Sequence, residues 1–98
     1  MNQTQAIHQQ IMALLKARNY LLNQTPSDMI AITDVNEKII SLNARQSALS
    51  SNINIPVLSD KQEQQLTSAI HDLDTQIRDS KAASDILAGA TVIINAVK

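Results

Sequence analysis

Apolar side chains recur three and four residues apart along nearly the whole chain, and that spacing constrains the fold more than anything else in it. On a helix such positions fall on one face, whereas on a strand they scatter over both. Interruptions are few, since Pro26 and Pro56 are the only prolines and Gly89 is the only glycine. Sheet-forming chains draw on aromatic residues and glycine-rich turns, but here Tyr20 is the sole aromatic. The chain is therefore expected to be all-α, one helical domain over 1–98 with three helices at about 4–24, 26–50 and 59–97. The expected arrangement is an antiparallel helical hairpin or three-helix, coiled-coil-like bundle with a long C-terminal helix.

In the first segment Ile7, Ile11, Leu14, Leu15, Leu21 and Leu22 form the stripe, leaving Gln9, Gln10, Lys16 and Asn23 for the other face. Arg18 falls within the stripe, where its stem can lie along apolar surface and its head reach water. The first break, Asn23 to Asp28, reads as a helix start with Thr25 as N-cap, Pro26 at the first position and Asp28 at the third. The second helix carries Ile32, Val35, Ile39, Leu42, Gln46 and Leu49 at heptad spacing, with Gln46 as the one polar seam position. Asp34 and Lys38 stand in the favourable i,i+4 order.

A longer break follows. Pro56 excludes Ile55 from a helical conformation, so residues 53–58 read as an extended apolar linker across the bundle end. Ser59 and Gln62 then have capping-box spacing, and Asp60 and Glu63 complement the helix dipole. The third seam runs Leu66, Ile70, Leu73, Ile77, Ser80, Ser84, Leu87, Thr91 and Ile94, with Asp74 and Arg78 as a second i,i+4 pair. From Ala82 onward a second stripe appears beside it, comprising Ala82, Ala83, Ile86, Ala90, Ile93 and Val97.

Length raises a problem for the tail. A continuous helix over 59–97 would be roughly 58 Å long at 1.5 Å per residue, against roughly 30–35 Å for each of the first two. Residues beyond about 83 would lack a partner within the chain. The leading expectation is that the tail packs on a second copy or another helix, with Ile86, Leu87, Ala90, Ile93, Ile94 and Val97 as the interface. A break at Ser80–Ser84 or Gly89, folding the tail back, is the second reading. Insertion at a membrane interface is the third, and a dedicated protein partner or a strand over 91–97 accounts for the rest. A membrane-active helical protein and a small immunity, antitoxin or secretion-chaperone type of binding module are the corresponding alternative functions.

Chemistry has little to build on. His8 and His71 lack a second histidine at ligand spacing, and there is no cysteine, so neither a metal nor a cofactor is expected. Gly89 lies inside the apolar tail, which leaves no glycine for a nucleophile elbow or phosphate loop. Asp72 with Asp74, and Asp34 with Glu37, read as solvated helix faces. A net charge of −1, no basic stripe and no aromatic platform argue against nucleic acid. The N-terminus lacks the basic and apolar regions of a signal peptide, and no stretch approaches a membrane span, which points to the cytoplasm or a non-classical export route. The expected function is non-enzymatic: helical interaction or assembly, with the chain itself or another helical protein as partner.

Overall fold

The computed structural model describes residues 1–51 and 54–97. Four helices are present: α1 (Gln3–Leu22), α2 (Met29–Ser50), α3 (Asp60–Arg78) and α4 (Ala83–Ala96). The all-α expectation holds, but the single long third helix does not. It breaks at residues 79–82, and α4 folds back onto the bundle.

Side chains near the chain's turns set three of the four helix starts. Asn2 accepts from the Gln5 backbone N–H while the Gln5 side chain accepts from the Asn2 N–H, so α1 opens on a capping box. Ser59 and Gln62 do the same for α3, as their spacing predicts, with Asp60 and Glu63 in the first turn. The start of α2 differs from expectation. Asp28 is the N-cap, accepting from the Ala31 N–H, and Pro26 lies in the preceding turn behind a cis Thr25–Pro26 peptide. A carboxylate is both a good N-cap acceptor and a favourable charge at a helix N-terminus.

The linker after α2 crosses the bundle end beside the first residues of the chain. The Gln3 N–H donates to the Pro56 carbonyl and the Leu58 N–H to the Met1 carbonyl, with a single antiparallel bridge between Asn2 and Val57. Leu58 is buried there, and Ile53 of the expected linker lies outside the described residues. These contacts start α1 and α3 at the same end, so the helices run up, down, up, down.

The helices form a flattened rhombus, with Cα extents of 45 × 24 × 14 Å. α1 packs against all three other helices, α4 likewise, while α2 and α3 do not meet among the described residues. Alanines explain the central place of α1. Ala6, Ala13 and Ala17 are buried between Ile7, Leu14 and Leu21, and their small side chains let neighbouring backbones come close. Ile32, Val35, Ile39 and Leu42 from α2 and Leu66 and Leu73 from α3 complete this part of the core as their spacing predicts. Each large aliphatic side chain fully buried contributes about 1.5–3 kcal/mol.

Ion pairs follow the sequence in part. Lys38 and Asp34 pair along α2. Asp74 faces Lys16 of α1 at 3.9 Å rather than forming the expected pair with Arg78. This links α1 to α3 across a partly exposed surface.

Candidate interaction surface

The tail that looked partnerless is inside the bundle. Ile86, Ala90, Ile93 and Val97 are fully buried by the chain's own helices, and Leu87 and Ile94 are half-buried against the same core. The stripe beside the seam is thus the core face, while the seam positions Ser80, Ser84 and Thr91 are exposed. The polarity of these three was the available signal. A continued helix would have carried the fully apolar stripe 86–90–93–97 away from the face that buries Leu66 and Leu73.

The reversal at 79–82 is a Schellman motif. The Lys81 N–H donates to the Gln76 carbonyl and the Ser80 N–H to the Ile77 carbonyl, with Ser80 in the left-handed region at φ 55°. Glycine is the usual residue there because it has no Cβ to clash. The Tyr20 hydroxyl at the end of α1 donates to the Lys81 carbonyl at 2.6 Å and ties the turn down.

At its other end α4 is held by side chains instead of a glycine cap. A helix leaves its last four carbonyls without intrahelical partners. Gln10 Nε2 donates to the Ile93 carbonyl at 2.8 Å, and an Arg45 guanidinium nitrogen donates to the Val97 carbonyl at 3.2 Å. Gln10, expected on the polar face of α1, is therefore completely buried. Halfway along, Gly89 permits close approach of α3: a Cβ there would lie 2.6 Å from Gln76 Oε1 and 3.1 Å from Leu73 Cδ1.

Apart from Val92 of α4, the exposed large apolar side chains lie elsewhere: Met12 on α1, Val57 in the linker, and a group on and next to α2. On α2, Met29, Ile30 and Ile40 are 63, 84 and 67 % exposed. Glu37 and, in part, the Asp34 side chain are the charges exposed on this helix, the other exposed positions including Thr33, Ser41, Ala44, Ser47 and Ala48. Leu22, 49 % exposed, precedes the turn that leads into Met29. By contrast, α3 exposes Asp60, Lys61, Asp72 and Arg78. Between α3 and α4 runs a shallow groove with Ala69, Val92 and Ala96 among its apolar lining and Gln64, Gln65 and Asn95 among its amides.

Two other sequence features resolve locally. Arg18 is half-buried and its guanidinium donates to Asn36 Oδ1 of α2 at 3.0 Å. Gln46 is half-buried beside Thr4, Gln5 and His8 at the end where α1 begins. His8 and His71 are both exposed on their helices, and no group of three metal-ligating side chains comes together among the described residues. No described helix is long and apolar enough to cross a membrane. Comparison with protein-family models, with curated proteins and with solved structures gives no match.

Proposed function

We propose that this chain is a non-enzymatic helical interaction protein that assembles by helix packing through the outer face of α2, with a second copy or another helical protein as partner. The observation that carries this reading is the character of that face: Met29, Ile30 and Ile40 are largely exposed, and its charges are Glu37 and a partly exposed Asp34 paired with Lys38. An outward helix face of a soluble bundle ordinarily carries charge. Large apolar side chains exposed on one outward helix face are a mark of interaction sites, and here Thr33 and Glu37 lie between Ile30 and Ile40. Ser41, Ala44, Ser47 and Ala48 add a low relief against which another helix packs closely.

Light scattering over a concentration series tests the reading, comparing the full chain with Ile30→Lys and Ile40→Lys. Both side chains lie outside the core, so each variant should keep its helical circular dichroism. The parent chain is expected to exceed monomer mass as concentration rises, and each variant to fall back towards monomer. Equal masses for parent and variants throughout would remove the α2 face as a self-association surface.

A further inference from the structure

We propose that the chain also associates by exchanging α4, each copy inserting this helix into the recess that the other copy's α4 leaves. The proposal does not rest on the α2 face, and it turns the buried tail into an interface between copies.

The hinge is the first argument. Residues Asp79–Ala82 include neither glycine nor proline, yet Ser80 holds a left-handed backbone that L side chains adopt at a penalty. Asn2, Asp28 and Ser59 cap their helices with side-chain bonds, whereas Ala82, the N-cap of α4, makes none. All four hinge residues accept an extended backbone, which Ala82 already has. Opening the turn into an extended hinge releases Ser80 from that conformation, whereas a continuous helix over 60–96 would turn the Ile86–Ala90–Ile93–Val97 face away from the one that carries Leu66 and Leu73. Short hinges under strain are where element exchange begins.

The second argument is the identity of the occupant. A released α4 would place Ile86, Ala90, Ile93 and Val97 in water, and that face requires cover. The recess that fits it has specific features: Gln10 positioned for the Ile93 carbonyl, Arg45 for the Val97 carbonyl, and Leu73 with Gln76 crowding the missing Cβ of Gly89. A second copy offers that recess unchanged. Every contact of α4 is then kept between copies, with Ile86, Leu87, Ala90, Ile93, Ile94 and Val97 now intermolecular. What changes is the turn, which loses its Schellman bonds and the Tyr20–Lys81 contact. The balance between closed monomer and exchanged dimer consequently lies in the hinge.

The test uses the full chain with Ser80→Gly and Ser80→Leu, refolded from denaturant at low and high concentration and followed by sedimentation velocity. Glycine favours the closed turn, and leucine disfavours its left-handed residue and so favours the open hinge. Each hinge should shift the equilibrium roughly fivefold, so a dimer with two hinges should shift about 25-fold in dissociation constant, weaker for Ser80→Gly and tighter for Ser80→Leu. Ile40→Lys should leave this dimer intact, which separates it from association through α2. The proposal is overturned if dimerisation is insensitive to both Ser80 variants, if Ile40→Lys alone abolishes it, or if all chains stay monomeric at millimolar concentration.

Discussion

The side-chain amide of Gln10 in α1 donates to the Ile93 carbonyl in the last turn of α4, 83 positions away in sequence, at 2.8 Å and out of contact with solvent. One residue of a helix that looks amphipathic thus fixes how far along the bundle the returning helix docks. Gln10→Ala removes the donor, strands a buried carbonyl and leaves a void. Leaving one buried polar group unpaired costs about 1–3 kcal/mol before any cavity is counted. Urea unfolding should show Gln10→Ala less stable by about 2–3 kcal/mol. Gln10→Leu, which keeps the volume and removes the unpartnered Oε1, should lose less. Equal stability of Gln10→Ala and the parent would show that the bond contributes nothing.

The start of α4 invites a gain. Ala82 is exposed, has an extended backbone and makes no capping bond. Ala82→Ser or Ala82→Asp supplies an acceptor for the orphan N–H groups of the first turn, for which the expected stabilisation is about 1 kcal/mol. For a chain of this size that raises Tm by about 4–8 °C, readable by thermal circular dichroism. The reverse change at a filled cap, Ser59→Ala, should lower Tm by a similar amount, because it removes the acceptor for Gln62. Unchanged melting in both would mean that the helix ends do not limit stability.

Most helix-forming residues were legible because their signals are local. The capping box at Ser59, the pair Asp34–Lys38 and the buried seams of α2 and early α3 follow from spacing alone. The fold-back was harder to read. Its turn uses Ser80 where sequence reasoning looks for glycine, and the one glycine of the chain serves helix crossing instead. Gln10 was misplaced for a related reason: its partner is a carbonyl at the end of α4, and no local pattern reveals which carbonyls will end up buried. The α2 face was missed because attention to the a/d seam passes over exposed isoleucines between seam positions. Ile30 and Ile40 sit beside Ile32 and Ile39 and look redundant until burial separates them.

Gly89 tests the closeness of α3 and α4. Ala raises helix propensity by about 1 kcal/mol over Gly, and the contact at 2.6 Å is with the far end of a flexible side chain that can swing away. Leu73 Cδ1 at 3.1 Å has less room, so these effects oppose and Gly89→Ala should change stability by no more than about 1 kcal/mol. Gly89→Val adds bulk that the crossing cannot accept and is expected to lose about 2–3 kcal/mol in urea unfolding. A Gly89→Val chain as stable as the parent would mean that the two helices are not in contact there.

The neighbours Val92 and Ile93 provide the sharpest test of where α4 lies. Were α4 a free interface helix, Ile93→Asp would abolish association and leave the hairpin folded. With Ile93 fully buried in its own chain, the same change places a carboxylate in the core and should unfold the bundle. A milder comparison gives a measurable number. Ile93→Ala creates a cavity among residues that cannot all collapse, for a loss of about 2–5 kcal/mol. Val92 is 56 % exposed on the same helix turn, and Val92→Ala should fall within about 0.5 kcal/mol of the parent. If the tail instead extended into solvent or awaited a partner, both truncations would be nearly silent in the isolated monomer. Unfolding of the two variants at a concentration where the parent is monomeric therefore separates a folded-back α4 from a free one. Because an exchanged dimer also buries Ile93, the measurement is repeated tenfold more dilute, where the difference between the two variants should persist unchanged.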